Sequence, residues 1–428
     1  MTHLKRDSQA LLLALALLGF THSASAQLQR EPGGTPADVA RAINEPFEYA
    51  WQLFLFLNQQ AKLGSAGEVD PSKESIVDYN DDQPVVWETW ASATGGLGLR
   101  PGEVNTSEVY RAKGAKPIEW SALARTAIQP KKFERTLTAM ESKLKELMAP
   151  RNFNKMQEMG GLTPFFISPT DLGRDDEIRM NRATYDHIRD NYLYSVEGLQ
   201  SSVKKAIDTG NRDFITFPLL SKEIKARWIQ IKEADKSRYH WRSVTITKAD
   251  GTKETNIWGL SGIHIITKDL PNWFWTDFEH VDQEQQAIKE GRPSVDPTTR
   301  GTNGQSAPSG NNGERLETKN SKWRYYRLRG TQLDFTDKFG SPTRLANTLI
   351  EPIEDGPSSC ITCHAKATAS LGTRAGAAPP FVIRTLPVQF VDGLPDPKSY
   401  FSADGKLQFI QTDFLWSMPF RAHSEKEQ

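Results

Sequence analysis

The sequence predicts an α+β fold with a helical N-terminal part, a central antiparallel sheet and a C-terminal segment organised around a short Cys/His motif. Three observations predict it. Between residues 37 and 62, Val39, Ile43, Phe47, Ala50, Trp51, Phe54 and Leu57 recur mostly three or four positions apart, which is the helical period. Further on, stretches 227–231, 241–247 and 257–267 are rich in β-branched and aromatic residues, and Ala249-Asp250-Gly251-Thr252 supplies a turn between two of them. Finally, the chain has only two cysteines, Cys360 and Cys363, and His364 follows directly.

The first residues read as an address rather than structure. Lys5 and Arg6 precede an apolar run from residue 10 to 20, and Ala24-Ser25-Ala26 fits a signal-peptidase exit. The run is too short for a bilayer span, which needs about 20 residues. A secretory signal over 1–26, cleaved after Ala26, and a periplasmic location are therefore expected, with no transmembrane segment in the mature chain. Lys and Arg number 53, as do Asp and Glu, so the charge gives no case for nucleic acid or an anionic membrane as partner.

The main domain is expected over 27–280. Pro46 interrupts the first helical pattern, so two helices or a kinked one are expected. Residues 85–90 form a short buried block. Gly95-Gly96-Leu97-Gly98 lacks the strand–loop–helix setting and the Gly-Lys-Ser/Thr ending of a nucleotide loop and reads as a turn. Stretches 131–148 and 175–207 combine charge with apolar residues at helical spacing and read as helices with solvated faces. Residues 281–322, low in apolar content and rich in Gly, Asn, Ser, Thr and Pro, read as a flexible loop or linker. The last segment, 323–428, opens on Trp323-Arg324-Tyr325-Tyr326 and holds a short helix over 344–350 ahead of the motif, with strand-like stretches at 381–384 and 388–391.

Ser358-Ser359-Cys360-Ile361-Thr362-Cys363-His364 contains C-x-x-C-H, the attachment signal for a c-type haem. Two thiols at this spacing can each add across one porphyrin vinyl group, and the adjacent imidazole is then held to the iron as proximal ligand. A thioredoxin-like pair would open a helix after a strand, whereas this one follows the turn Glu354-Asp355-Gly356-Pro357. A zinc site would want four ligands, and there is no second Cys pair. One covalent haem c, bound through Cys360, Cys363 and His364, is the expectation.

The sixth ligand stays open among three residues. Met418, in Leu415-Trp416-Ser417-Met418-Pro419-Phe420, follows the motif at a separation comparable to that in small soluble cytochromes c, although an aromatic-flanked Met more often fills a core. His264 sits in the buried strand pattern at 257–267, where a His is more often a hydrogen-bonded core residue. His280 ends an aromatic run before a polar loop, where it can face a pocket or lie at the surface. Glu279 and Arg344 join the two histidines as candidate distal groups, while His240 reads as a surface or strand residue.

With Thr348-Leu349-Ile350-Glu351 before the motif, Gly262-Ile263-His264 and Phe278-Glu279-His280 upstream, and Phe414-Leu415-Trp416-Ser417 near the end, the chain resembles a poorly characterised group of exported bacterial proteins of the cytochrome c family. The resemblance runs over most of the mature chain and implies haem binding and electron transfer with an unidentified redox partner protein. It departs from small class I cytochromes, which carry the motif near the N-terminus of a compact helical domain. Three function classes follow: a single-electron carrier with a six-coordinate haem, a peroxidase- or oxygenase-type enzyme with an open sixth position, and a haem-based sensor or binding protein.

Overall fold

The structure is a computed structural model that describes residues 36–73, 76, 83–93, 107–126, 132–136, 174–247, 251–283, 314–347, 358–373, 383–387 and 391–426. The signal segment, the glycine turn at 95–98, most of the linker stretch and the strand-like 388–390 lie outside the described residues.

Helix α1 (Val39–Asn44) is capped by the Asp38 carboxylate, which accepts from the Arg41 amide at 2.9 Å. Glu45 leaves the helical conformation, and α2 (Pro46–Leu57) restarts with Pro46 in its first turn, where a missing N–H costs nothing. A buried single turn at Val86–Thr89 leads into β1 (Ala91–Ser92), and α3 (Trp120–Thr126) follows.

Where two helices are expected over 131–148 and 175–207, the chain instead forms strands first. β2 (Lys132–Thr136) pairs in parallel with a later strand, and 137–148 lies outside the described residues. β3 (Arg174–Met180) is followed by α4 (Arg182–Asp190) and α5 (Val196–Thr209). The reason for the second difference lies in the charges. Glu177 and Arg179 are buried, pair with each other at 2.5 Å, and Glu177 also accepts from the Trp228 indole at 3.0 Å, so these charges belong to the interior rather than to a solvated helix face. Ser195 caps α5 by accepting from the Gly198 amide. Gly198 is required there, because a Cβ would lie 1.6 Å from the Tyr192 carbonyl oxygen.

The sheet is completed by β4 (Lys222–Ile231), β5 (Trp241–Thr247), β6 (Lys253–Thr267), β7 (Phe274–His280) and β8 (Tyr326–Gln332). Its order is β1-β3-β4-β6-β5-β2, antiparallel except for the β2–β5 pair. The fifteen-residue β6 runs along β4 on one side, while on the other its first half pairs with β5 and its second half with β7. β8, which lies beyond the 281–322 stretch, pairs with β7, so the sheet continues across that boundary. Then come α6 (Cys360–His364), β9 (Thr368–Ser370), β10 (Phe409–Gln411) and α7 (Ser417–Arg421). Of the helix expected at 344–350, residues 344–347 are not helical, with Leu345 bridged to Ser359, and 348–350 lie outside the described residues.

Alternation sorts the sheet into two faces. Ile224, Ala226, Trp228, Ile263, Ile265, Phe274 and Phe278 face α2, where Trp51 meets Phe278 edge-on at 4.9 Å and Phe54 stacks on Phe278 at 4.2 Å. Ile178, Met180, Ile266 and Trp275 face the other way, into a core shared with α4, α5 and the C-terminal segment. The Cys/His motif lies on this second side.

Candidate functional site

The motif helix is too short to be stable alone, so its ends are held by tertiary bonds. Gln332, the last residue of β8, donates to the Ser359 hydroxyl at 2.7 Å and accepts from the Ile361 amide at 3.0 Å. The Leu345 carbonyl accepts from both the amide and the thiol of Cys360. Thr362, between the cysteines, donates its hydroxyl to the Gly393 carbonyl at 2.7 Å, and the Tyr400 hydroxyl donates to the Ala365 carbonyl at 2.8 Å. Both cysteines are buried and carry free thiols, with no disulfide between them.

Nδ1 of His364 lies 2.8 Å from the Phe414 carbonyl oxygen. A carbonyl can only accept, so Nδ1 carries the hydrogen and Nε2 is left with the ring's lone pair. Trp275 packs edge-on against the same ring at 4.7 Å, and Phe414 packs on Trp275 at 6.0 Å. The imidazole is thus fixed in tautomer and in orientation.

Cys360 and His364 open onto a recess. Its floor is the sheet: Ile178 on β3, Glu223 and Lys225 on β4, His264 and Ile266 on β6, and Trp275 on β7. Trp416, Ser417 and Arg421 close it from the C-terminal helix. The mix of apolar walls with a few polar groups is typical of small-molecule and cofactor sites.

Of the three sixth-ligand candidates, His264 is the one the recess contains. Its Nδ1 is 3.5 Å from Asp277, directly across on β7. Asp277 is itself held by the Asn347 amide, at 2.9 and 3.1 Å to its two oxygens. A carboxylate beside Nδ1 favours a proton there and a lone pair on Nε2, the outer-shell pattern of metal-binding histidines. Met418 is fully buried in the core and does not line the recess. His280, also buried, has both nitrogens engaged: Nε2 with the Arg238 carbonyl at 3.1 Å, and Nδ1 accepting from the Asp282 amide at 3.2 Å. It stacks on Tyr239 at 3.7 Å, and burial depresses its pKa to about 4. Glu279 pairs with Arg329, and Arg344 with Asp392, both away from the recess. His240 is buried against Glu88 at 3.0 Å rather than at the surface.

Sequence reasoning did not single out Glu223, Lys225, Trp275, Arg421, Asp277, Asn347 or Asp413. Glu223 is buried in the recess wall, accepts from the Ser417 hydroxyl at 2.9 Å, and burial raises its pKa to about 7. Only the alternation within 222–231, which puts Glu223 and Lys225 on one face, hinted at this pair.

The donor set suits the c-type haem that the motif implies. Two buried thiols lie on one short helix, of which Cys360 lines the recess with His364 and Cys363 does not, and the Phe414 carbonyl keeps the hydrogen of the His364 ring on Nδ1. The walls are largely apolar and aromatic, and Lys225 and Arg421 supply positive charge suited to propionates. Among the described residues, no three or more His, Cys, Asp or Glu side chains converge as a bare metal ion would need, nor is any helix long and apolar enough to cross a membrane. Compared with family models, curated proteins and solved structures, the chain matches none.

Proposed function

We propose that the protein is an exported, periplasmic monohaem c-type cytochrome of the poorly characterised group it resembles, and that it passes single electrons to and from a partner redox protein. Cys360 and Cys363 hold the haem by two thioethers, and His364 is its proximal ligand. Lys225 and Arg421 balance the propionates. The haem supplies reversible one-electron chemistry when bound. The protein's own part is to bury it against Trp275, Ile178 and Ile266, to fix the axial imidazole and to limit water.

One observation carries the reading: His264 lines the same recess as Cys360 and His364. A second imidazole backed by Asp277 suits a six-coordinate iron, which favours electron exchange over ligand turnover. Glu223 favours a second reading, a haem enzyme with an open sixth position, since a buried carboxyl of pKa about 7 suits acid–base work.

The visible spectrum of the exported ferrous protein, with and without carbon monoxide, separates the two. The carrier reading expects no carbonyl complex in the wild type and ready formation in His264→Ala. A wild-type protein that binds carbon monoxide at once moves the reading to the enzyme or sensor class.

A further inference from the structure

We infer that Asp413 is a positioning residue for the axial imidazole: it holds the strained turn at 413–414, so that the Phe414 carbonyl stays on Nδ1 of His364 and sets the donor strength of the nitrogen offered to iron. The inference rests on the haem reading above.

The turn is costly by itself. Asp413 and Phe414 are consecutive non-glycine residues at φ +45° and +70°. Left-handed backbone is disfavoured for a bulky L-residue such as Phe414, less so for Asp, and such strain persists only where the surroundings over-determine it. The surroundings here converge on one carboxylate. Asp413 Oδ1 accepts from Lys268 Nζ at 2.6 Å and from the Trp273 indole at 3.3 Å, while Oδ2 accepts from the Phe217 amide at 2.7 Å. Lys268 also donates to the Pro271 carbonyl at 2.8 Å, so the cation is tied to the β6–β7 connection.

On either side the backbone is closed as well. The Thr412 amide donates to the Ala367 carbonyl at 2.9 Å, and the Thr412 hydroxyl to the Leu415 carbonyl at 2.9 Å. What this apparatus delivers is the position of one carbonyl, 2.8 Å from His364 Nδ1. A buried Lys–Asp pair is weak evidence of stabilisation in its own right, because desolvation offsets its attraction. Its position suggests a geometric task instead. An Nδ1–H held by a carbonyl makes the opposite nitrogen a stronger donor, which favours ferric over ferrous iron and lowers the reduction potential.

The test compares haem-loaded wild type with Asp413→Ala and Asp413→Asn, by two readouts: the reduction potential and solvent protection of the His364 Nδ1–H in proton NMR. Asp413→Ala is expected to favour the ferrous form about tenfold, a rise of about 59 mV for one electron, and to leave the Nδ1–H exchanging rapidly. Asp413→Asn keeps an acceptor for the Phe217 amide and moves both readouts in the same direction by less; it decides the matter if the Ala variant does not accumulate. If the potential rises while the Nδ1–H stays protected, the effect is that of a lost charge alone and the inference is wrong. It is equally wrong if neither readout moves in Asp413→Asn. A wild type that carries no haem sinks the underlying reading instead, which is a separate outcome.

Discussion

Gly262 on β6 has no room for a methyl group. A Cβ there would lie 2.6 Å from Asn347 Nδ2 and 3.2 Å from its Oδ1. Asn347 is fully buried and spends that same nitrogen on both oxygens of Asp277, which stands beside His264. In Gly262→Ala either the strand or the Asn347 side chain must move. Overpacking costs roughly 1–3 kcal/mol, and removing the amide from a buried carboxylate costs roughly 1.5–3 kcal/mol more. A loss of roughly 2.5–6 kcal/mol is expected in urea unfolding of the haem-loaded protein, followed by tryptophan fluorescence. The double variant Gly262→Ala/Asn347→Ala sharpens the test. Its added methyl enters space that Asn347 has left, so it costs no more than Asn347→Ala alone. A loss under about 1 kcal/mol for Gly262→Ala, or strict additivity in the cycle, refutes the reasoning.

Further outcomes follow from the same geometry. Met418→Leu, a near-isosteric change in the core, should leave the visible spectrum unaltered and cost less than about 1.5 kcal/mol in urea unfolding; loss of a sixth-ligand signature would return Met418 to candidacy. Gly198→Ala meets the Tyr192 carbonyl at 1.6 Å and should lower thermal stability by more than about 2 kcal/mol while the spectrum holds. Stability should also fall in mild acid. Burial lowers the His280 pKa from 6.5 to about 4, so the unfolded chain binds the extra proton first. The stability this provides is complete above pH 6.5 and is lost as pH falls towards 4, by roughly 3 kcal/mol. His240, depressed to about 4 by burial, adds in the same direction, and Glu223, raised to about 7 by burial, offsets one of the two. Urea titrations between pH 7 and 4 check this, and a flat profile counts against it.

How much of this was legible in the sequence differs from element to element. The N-terminal helices and the strands at 227–231, 241–247 and 257–267 could be read because period and residue type agree there. Strand β3 could not. Its Glu177 and Arg179 look like a solvated face, and only their pairing with each other and with Trp228 explains why they are inside. At the site, the C-x-x-C-H spacing is local and singled out the motif at once, though not the helix that it forms. Residues that complete the recess come from β3, β4, β6, β7 and α7, and no spacing along the chain records that they meet. His264 and His280 look alike in sequence, each in an apolar, strand-like stretch. They are separated by what their nitrogens touch: His280 is spent on the Arg238 carbonyl and the Asp282 amide, whereas His264 faces the recess.

The most direct measurement is the intact mass of the exported protein after denaturation, together with its reduced pyridine spectrum. The account predicts one haem per chain that survives denaturation, with both vinyl groups converted to thioethers, and its loss in Cys360→Ala/Cys363→Ala. A chain that emerges without haem, or with haem that washes out in denaturant, contradicts it.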